Sequence, residues 1–551
     1  MSLSAEIIDR LIPEKLPTVE ELEAKYPPRQ LTEGAKVVRY APSPTGYMHV
    51  GNFYSAFVNE RLGHQSGGVF FIRIEDTDQK REMEGAADLI FKTMADYGLK
   101  VDEGSLDNGK DVGAYGPYTQ SKRREIYRAC VKHLLKEGKA YPCFVTSEEL
   151  DELRKSQEYQ NIRPGYYGKY ALHRDLTEDQ VKAFLDAGKK FIFRLRSPGN
   201  GDKWIKVDDL IKGERQLPEW DEDTIIYKGD GLPTYHFAHL VDDHFMRTTH
   251  VVRGEEWFSS LPRHVQLFQV MGWKAPRYAH ISFIQKLDNG NRRKLSKRSD
   301  PEATMTFYAQ KGYTPVALKE YLLNLMNSNF EDWRKANPTK PYEEFTFAIN
   351  KMGESGALLD LVKLDNISKE VISKMTADEV FNAALAWAKL YDPKLQALME
   401  GNAAYVKQIL SIERTGAKIR KDIATWSAVY GELEYFFDEH FTLTKEKALE
   451  LLAPTKAEDA AQAAKLFIEG YNPADDKDTW FGKVKQIAEG MGYATNAKDF
   501  QKNPAAYKGN VSDVAKIFRV LLTGRAQTPD LHSVMLVMGK DRCAKRLALV
   551  G

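Results

Sequence analysis

The sequence predicts an α/β core that is interrupted by an inserted α+β region and followed by an all-α C-terminal half. Short apolar runs alternate with helical periodicity over residues 35–115, and a second set of such runs occupies residues 229–300. Beyond about residue 300 the patterns are helical, with Pro and Gly at intervals and little strand signal. A chain of 551 residues exceeds one ordinary core, so several domains are expected.

The composition is that of an ordinary soluble protein. Hydrophobic residues make up 42% and charged residues 28%, and the formal net charge is +1. Any nucleic-acid binding must therefore come from local basic patches. The three cysteines (Cys130, Cys143 and Cys543) are far apart and form no CxxC pair, which favours reduced thiols in the cytoplasm. The N-terminus lacks a signal-peptide pattern, and no apolar run approaches the ~20 residues that span a bilayer. We expect a cytoplasmic protein without a membrane partner.

The core begins with the stretch KVVRYAPSPTGYMHVGN at residues 36–52. Its apolar start predicts a buried strand, its Pro and Gly residues predict a tight loop, and a helix is expected from about Phe53. A helix N-terminus offers unpaired N–H groups to a phosphate, and Gly51 would let a nucleotide approach the backbone. His49 could donate a hydrogen bond to a phosphate in a transition state.

The next predicted strand, VFFIRIEDTD at residues 69–78, ends in acidic side chains. The ends of such strands are where open α/β sheets bind their ligands. Glu75 could bind an amine there. Asp76 and Asp78 have an alternative role, because acids in this position often cap the following helix.

Two further segments complete the core. Residues 235–244 (YHFAHLVDDH) predict a helix, and residues 250–257 (HVVRGEEW) predict a strand that runs into a loop. Their dense His and Asp residues match no standard metal-ligand spacing, so no metal is predicted. A polar loop with the sequence KLSKR follows at residues 294–298, and by itself it could be a solvated basic turn.

Taken together, the MHVGN and KLSKR segments resemble the paired HIGH and KMSKS motifs of the class I aminoacyl-tRNA synthetases. The longer string RYAPSPTGYMHVGN resembles the version found in the glutamyl-tRNA synthetase family. The resemblance implies a Rossmann-like catalytic core and an insertion that binds the tRNA acceptor end. The domains it implies are an N-terminal extension at 1–34, two core halves at 35–115 and 229–300, the insertion at 116–228, a stem-contact domain at 301–372 and helical anticodon-binding subdomains at 373–460 and 461–551.

The resemblance also implies a two-step reaction with three partners: ATP with Mg²⁺, L-glutamate and tRNA(Glu). Glutamate is first activated to glutamyl-adenylate and is then transferred to the terminal adenosine of the tRNA. A non-discriminating enzyme that also charges tRNA(Gln), and a glutaminyl-tRNA synthetase, are alternatives. A tRNA-modifying glutamyl transferase would lack the long helical half, and a small-molecule adenylyltransferase or a non-catalytic RNA-binding paralogue would not need all these features. DNA is not an expected partner, and the family default is a monomer.

The family's site residues are carried over onto matching positions. The implied catalytic residues are His49, Lys294 and Lys297. The implied ATP-binding residues are Ser43, Thr45, Gly46, His49, Gly51, Trp257, Leu295 and Lys297. The implied glutamate-binding residues are Arg39, Ala41, Ser43, Glu75, Tyr235, His239 and Arg253, with Arg39 favoured for the side-chain carboxylate. Position 239 departs from the pattern, because Asn or a small residue is expected where this chain has His.

The insertion and the helical half carry two further expectations. Part of the family holds zinc in the insertion, but here Cys143 stands with Val145 and Tyr170, and one thiolate cannot build a closed four-ligand site. We therefore predict no zinc. In the helical half, candidates for contact with tRNA phosphates are Arg414, Lys418 and Lys421, expected on one helical face, with Arg525 and Arg542 near the end. The alternative for each is a solvated helix face.

Overall fold

The computed structural model describes residues 3–78, 83–107, 110–416 and 419–551. The chain divides into two compact units: Met1–Phe307 with Lys319–Asp360, and Tyr308–Leu318 with Leu361–Gly551. Within the described ranges, no helix is long and apolar enough to cross a membrane. The finer domain boundaries given above remain predictions.

The regular elements are numbered in chain order. The strands are β1 Val37–Tyr40, β2 Val69–Ile72, β3 Glu103–Asp107, β4 Lys110–Val112, β5 Ala140–Cys143, β6 Ile192–Leu195, β7 Trp204–Asp209, β8 Gly213–Pro218, β9 Ile225–Tyr227, β10 His250–Gly254, β11 Arg277–Ile281, β12 Ile284–Asp288, β13 Asn291–Lys294 and β14 Ala357–Leu358. The helices up to residue 336 are α1 Ala5–Leu11, α2 Val19–Lys25, α3 Val50–His64, α4 Ala86–Asp96, α5 Arg124–Lys136, α6 Ser147–Tyr159, α7 Glu178–Asp186, α8 Tyr235–Phe245, α9 Leu261–Val270, α10 Met305–Lys311, α11 Pro315–Met326 and α12 Phe330–Ala336. The later helices are α13 Leu361–Ser373, α14 Ala377–Tyr391, α15 Pro393–Gly401, α16 Ala403–Ser411, α17 Val429–Glu434, α18 Lys445–Leu452, α19 Ala457–Gly470, α20 Lys477–Gly490, α21 Ala497–Lys502, α22 Val511–Thr523, α23 Leu531–Met538 and α24 Lys540–Leu547.

The first unit is organised by parallel strands. β1, β2 and β3 run parallel in that order, and β10 and β11 form a second parallel pair. β10 continues the sheet beside β1, because the N–H of Thr249 donates to the carbonyl oxygen of Val37 at 2.9 Å. The chain thus places β2 and β3 on one side of β1 and, later, β10 and β11 on the other side, which creates a topological switch point at β1. The carboxyl ends of β1 and β10 flank this switch point, where open α/β sheets bind ligands.

The helix that follows β1 is buried on nearly every side. Phe53 and Phe57 of α3 are fully buried, and α3 packs on β1, β2 and β10. Its polar residues Asn59, Glu60 and Arg61 are buried as well, which explains why its sequence has no clear amphipathic stripe. The N-terminus of α3 is thereby held rigidly at the switch point.

The insertion has a small antiparallel sheet in the order β5-β6-β9. The β7–β8 hairpin also lies between residues 116 and 228, but it extends the core sheet, with Asp209 of β7 paired to Tyr278 of β11. The predicted insertion is therefore not one separate fold. The N-terminal extension packs on this unit, where Ile7, Ile8 and Leu11 join its apolar core.

The second unit is helical from α13 to α24 around one apolar core. The prediction that the segment around Arg414 and Lys421 is helical is wrong. α16 ends at Ser411, and the described residues up to Thr425 are irregular. Glu413 has a φ of +52° and Gly416 a φ of +102°, and neither value is compatible with a right-handed helix. Arg414 and Lys421 therefore do not share a helical face, and Lys418 lies outside the described residues.

Candidate active site

A cleft of about 1170 Å³ opens at the carboxyl ends of the parallel strands. It is lined by most of the residues that the sequence analysis selected: Arg39, Ala41, Ser43, Thr45, His49, Gly51, Glu75, Tyr235, Arg253, Trp257, Lys294, Leu295 and Lys297. These residues come from β1, β2, α3, α8, β10 and the KLSKR loop. Gly46 and His239 belong to the predicted set but do not line the cleft. The site is thus assembled from segments up to 258 residues apart in the chain, the separation of Arg39 and Lys297.

The two motif loops meet across one side of the cleft. The Nζ of Lys297 donates a hydrogen bond to the carbonyl oxygen of Tyr47 at 2.7 Å. The backbone of Leu295 interacts with the imidazole of His49. His49 also caps α3, because its Nδ1 accepts a hydrogen bond from the N–H of Gly51 at 2.9 Å.

The imidazole of His49 is neutral at physiological pH. Burial, reinforced by Lys297 and Lys294, lowers the pKa of His49 to about 4, although the Leu295 backbone acts in the opposite direction. Because Nδ1 accepts from Gly51, the proton of the neutral ring sits on Nε2. His49 therefore presents one N–H donor rather than a second cation beside the lysines.

Gly51 gives this arrangement the room it uses. A Cβ at position 51 would lie 3.1 Å from the Nδ1 of His49, which is closer than side chains normally tolerate. The glycine thus allows the imidazole to fold back over the first turn of α3. Gly46 has a different role, since its φ of +116° turns the loop before Tyr47.

Asp300 anchors the KLSKR loop and was missed by the sequence analysis. Its carboxylate accepts from Arg293 at 2.6 and 2.9 Å and from the N–H of Ser296 at 2.9 Å. The Arg293 guanidinium holds the pKa of Asp300 well below its usual range. The sequence signal for this role is the position of Asp300 directly after KLSKRS, where an acidic side chain can pair with the basic residues of the loop.

A buried charge network forms one wall of the cleft. The Nε of Arg39 donates to Asp243 at 3.1 Å, and Arg73 bridges Asp243 at 2.8 Å and Glu75 at 3.0 Å. Burial raises the pKa of Glu75, and Arg73 and Arg39 offset part of this effect. Asp243 is also buried, but Arg39 and Arg73 hold its pKa well below the ordinary value. Arg73 was missed, although a charged residue within an apolar strand was its signal.

Aromatic rings and a second arginine form another part of the cleft lining. Tyr235 stacks on Trp257 with a ring-centroid distance of 4.1 Å. The Nη1 of Arg253 donates to the Tyr235 hydroxyl at 3.4 Å. The cleft therefore holds two guanidinium groups, Arg39 and Arg253, with the carboxylate of Glu75 near Arg39.

His239 lies one layer behind the cleft wall, which corrects the predicted direct contact with the amino acid. The side chain is fully buried. Its Nδ1 is 2.8 Å from Oδ2 of Asp243, and its Nε2 is 3.1 Å from the Tyr278 hydroxyl. Burial lowers the pKa of His239 to about 3 despite the nearby Asp243. A neutral imidazole here can act on the cleft indirectly, through Asp243 and its partner Arg39 and through the ring of Tyr235, on which it stacks at a centroid distance of 6.1 Å.

The acids after β2 do not cap the next helix. α4 begins at Ala86, and its N-cap residue is Gly85. Asp76 instead accepts hydrogen bonds from the N–H and hydroxyl of Ser121 at 2.8 and 2.5 Å. Asp78 lines the cleft. The capping alternative is therefore wrong for Asp76, whose carboxylate is bonded to Ser121, and neither acid caps α4.

The Asp residues of α8 form ion pairs, and its buried histidines contact neighbouring side chains as neutral rings. Asp242, for example, accepts from Arg123 at 2.6 Å and from the Tyr127 hydroxyl at 2.8 Å. Across the described ranges, no group of three or more His, Cys, Asp or Glu residues is arranged to hold a metal ion. Cys143 is buried in an apolar cluster, with its sulfur 3.5 Å from the Tyr166 hydroxyl and Val145 packed alongside.

The predicted tRNA-contact residues differ in how their charges are used. Arg414 is buried, and its guanidinium donates to the carbonyl oxygens of Leu410 and Ile372 at 2.9 and 2.8 Å. It is committed to the fold of the second unit and cannot reach a phosphate as it lies. Arg525 and Arg542 are partly exposed and bond to Glu432 and Tyr405, at 2.8 and 2.7 Å. Lys421 is half-exposed and pairs with Glu370 at 2.5 Å.

Comparison with known proteins identifies relatives of both parts of the chain. Residues 36–345 match the family described as class I tRNA synthetases (E and Q), catalytic domain, and residues 379–550 match an anticodon binding domain. The glutamate–tRNA ligase of Clostridium perfringens (strain 13 / Type A) is 49% identical over 530 residues, covering 96% of this chain and 97% of the relative. The glutamate–tRNA ligase of Acetivibrio thermocellus is 45% identical and covers 98% of both chains.

A solved structure extends this similarity to the whole fold. A glutamate tRNA ligase from Elizabethkingia meningosepticum, crystallised in complex with its amino acid, superposes with a TM-score of 0.74. It is 26% identical in sequence and covers 94% of this chain and 99% of its own. Catalytic and helical halves are thus both represented in the relatives.

Proposed function

The chain belongs to the glutamate–tRNA ligases, within the class I tRNA synthetases, and we propose that the cleft described above carries out both of their steps. In the first step a carboxylate oxygen of glutamate attacks the α-phosphorus of ATP, and the bond to the diphosphate breaks. In the second, a hydroxyl of the terminal adenosine of tRNA(Glu) attacks the acyl carbon of glutamyl-adenylate, and AMP leaves. Positioning and charge stabilisation supply most of the catalysis, so no protein nucleophile is required.

His49, Lys294 and Lys297 act on the phosphates in this proposal. The developing negative charge meets one N–H of a neutral imidazole and the two ammonium groups of the KLSKR loop. Lysine suits this role because it is a compact charge on a flexible stem. ATP lies between Trp257 on one side and the Ser43–Gly46 loop on the other, with Leu295 and Gly51 against it.

Glutamate is recognised by charge complementarity. It carries two carboxylates and one ammonium group, and the cleft offers Arg39, Arg253 and the carboxylate of Glu75. We assign the side-chain carboxylate to Arg39 and the ammonium group to Glu75. Ala41, Ser43 and Tyr235 complete the pocket. Arg39 already pairs with Asp243, so what glutamine loses is the charge-assisted, two-point contact between the substrate carboxylate and the guanidinium. Its amide would also direct N–H donors at a group that has only donors, which a buried site penalises.

The observation that carries this proposal is the convergence of Arg39, Glu75 and Arg253 with His49 and Lys297 in one cleft. The test is aminoacylation with purified protein, ATP and labelled glutamate or glutamine, using purified tRNA(Glu) and tRNA(Gln) side by side. We expect charging of tRNA(Glu) with glutamate and no product with glutamine. Charging with glutamine in preference to glutamate would overturn the assignment. Charging of tRNA(Gln) with glutamate would identify a non-discriminating enzyme.

Several finer properties belong to the same proposal. Mg²⁺ enters with ATP, held mainly by phosphate oxygens and water, and no step depends on a metal bound by the protein. The insertion contacts the acceptor end of the tRNA, residues 301–372 contact its stem, and the helical residues beyond 372 read its anticodon. We propose a cytoplasmic monomer, in keeping with three buried thiols that form no disulfide.

A further inference from the structure

Arg253 is held by a chain of buried histidines that lies behind the cleft. Its Nε donates to Nε2 of His280 at 3.0 Å, and its Nη2 donates to Nδ1 of His264 at 3.0 Å. Both histidines are fully buried. Nη2 also donates to the carbonyl oxygen of Trp257 at 3.4 Å. The guanidinium is thus gripped along one edge, and its Nη1 remains toward Tyr235 and the cleft.

The protonation state of this chain follows from donor and acceptor chemistry. Arginine has only donors, so both nitrogens that face it must carry a lone pair. In His280 the proton then sits on Nδ1 and is donated to Asp209 at 2.6 Å. In His264 the proton sits on Nε2 and is donated to Nδ1 of His236 at 2.8 Å. One arrangement of neutral rings thus satisfies all four hydrogen bonds, and the carboxylate of Asp209 is the last acceptor at one end of this series.

The environment favours those neutral rings. Burial, with Arg253 as the nearest charge, lowers the pKa of His264 well below its usual value. Burial also lowers the pKa of His280, although Asp209 opposes it. Asp209 is itself buried and accepts from the backbone N–H groups of Ile211 and Lys212 at 3.0 and 2.8 Å. Its carboxylate is therefore fixed in place and in turn fixes the ring of His280.

We propose that His264 and His280 are positioning residues that orient the Arg253 guanidinium so that its Nη1 end meets a carboxylate of glutamate. The proposal rests on the proposed function, in which Arg253 binds the amino acid. Neither histidine lines the cleft. Their effect is exerted through two acceptor nitrogens that remove rotational freedom from an otherwise flexible side chain, and preorganisation of this kind increases affinity.

Asparagine and glutamine variants separate this role from packing. Asparagine places a polar atom where histidine has Nδ1, and glutamine places one where histidine has Nε2. The nitrogen that faces Arg253 is Nδ1 in His264 and Nε2 in His280. His264→Asn and His280→Gln therefore keep an acceptor for Arg253. His264→Gln and His280→Asn instead keep only a polar atom at the other ring position, which faces His236 or Asp209. A purely structural role predicts the same ranking at both positions, since glutamine is closer to histidine in volume.

The experiment is steady-state aminoacylation of tRNA(Glu) by the full-length protein, with thermal unfolding measured for each variant. We expect His264→Asn and His280→Gln to keep the KM for glutamate near that of the wild type. His264→Gln and His280→Asn should raise it about tenfold, as expected for lost hydrogen bonds to a charged group. The KM for ATP should stay unchanged in all four. The same ranking at both positions, or an unchanged KM for glutamate in every variant, would overturn the proposal.

Arg253→Ala distinguishes failure of this inference from failure of the function on which it rests. If Arg253→Ala leaves the KM for glutamate unchanged, the proposed glutamate site is overturned, and so is the positioning role that depends on it. The expected ranking is crossed: asparagine is tolerated better than glutamine at position 264, and glutamine better than asparagine at position 280. If Arg253→Ala raises the KM for glutamate strongly but this crossed ranking is absent, only the positioning role is overturned. If Arg253→Ala and the crossed ranking both behave as expected, His264 and His280 act through the arginine.

Discussion

Lys297 is the residue that links the two motif loops, since its Nζ reaches the Tyr47 carbonyl oxygen. In the proposed mechanism the same ammonium group stabilises charge on the transferring phosphate. We expect Lys297→Ala to lower kcat for glutamate activation by about 100-fold, the loss typical of one transition-state donor. The neighbouring Arg298 is exposed, lies outside the cleft lining and serves as the matched control. Equal effects of Lys297→Ala and Arg298→Ala in diphosphate exchange, run with tRNA present, would contradict this role.

His239 gives a prediction about stability and pH. Burial lowers its pKa to about 3 in the folded protein, whereas an unfolded histidine titrates near 6.5. Between these values the unfolded chain binds a proton that the folded chain does not, so stability falls as the pH falls. Each such proton contributes a slope of about 1.4 kcal/mol per pH unit. His239→Asn should therefore make the dependence of the unfolding free energy on pH shallower by about 1 kcal/mol per pH unit between pH 5 and 6.

Urea unfolding of the wild type and of His239→Asn at pH 5, 6 and 7.5 provides the measurement. The variant is expected to lose some stability at pH 7.5, because Asp243 and Tyr278 lose a partner. The informative quantity is the difference in slope and not that offset. Parallel curves for the two proteins would show that His239 is already protonated in the folded state, contrary to its burial.

At the scale of elements, the KLSKR loop depends on the carboxylate of Asp300. This group holds both the Arg293 guanidinium and the N–H of Ser296 in place. Asp300→Asn keeps the size of the side chain but removes the charge that pairs with Arg293. We expect kcat for glutamate activation to fall by about tenfold, because hydrogen bonds between charged groups contribute about 1.5–3 kcal/mol. The KM for glutamate should be unaffected.

Asp288 offers a matched control for this prediction. It pairs with the same guanidinium at 2.6 Å, but it is exposed, and within the described residues the N–H of Ser296 donates to Asp300 and not to Asp288. Asp288→Asn should therefore leave kcat near the wild-type value, since exposed pairs contribute little. If the two variants lose activity equally, pairing with Arg293 and not anchoring of the loop backbone is what matters.

The elements that could be predicted from the sequence have strong local signals. The apolar run of β1, the Pro and Gly residues after it and the helix signal of α3 are encoded within 30 residues, and the motif resemblance connected them to the KLSKR loop. Arg73 and Asp300 were not found, because their roles depend on partners that only the folded chain brings close. The β7–β8 hairpin was assigned to the insertion, since sequence order does not reveal that β7 pairs with β11.

The same limit explains the errors. Arg414 looked like a surface cation on a helix, but positive φ values at Glu413 and Gly416 break the helix, and the side chain turns inward to carbonyl oxygens. His239 looked like a pocket residue because its neighbours in sequence are. The full turn of α8 places Tyr235 in the cleft and His239, four residues later, beneath it. One-dimensional patterns identify a helix more reliably than which residue of a face reaches the ligand.

For the whole molecule, 79 basic residues are nearly balanced by 78 acidic ones. A polyanion such as tRNA must therefore be held by local groups of cations and not by overall charge. In the second unit, Arg414 is buried and Arg525 is paired with Glu432. Of these three predicted contacts, Lys421 is the better candidate for a phosphate contact, because its exposed ion pair with Glu370 is readily exchanged for another anion.

Lys421→Gln is thus expected to raise the KM for tRNA(Glu) by about fivefold, as one phosphate contact is lost, and to reduce the salt dependence of tRNA binding by about one unit of slope. The kcat at saturating tRNA should not change, since the residue is remote in sequence from the cleft and belongs to the other compact unit. Lys447 is the control, because it is an exposed lysine of the same unit that also pairs with a glutamate, Glu450, at 2.9 Å. Removal of either lysine changes the net charge by the same amount. If both variants weaken tRNA binding equally, tRNA responds to the overall charge of this unit; if Lys421→Gln alone does so, the contact is local, as the balanced charge of the chain requires.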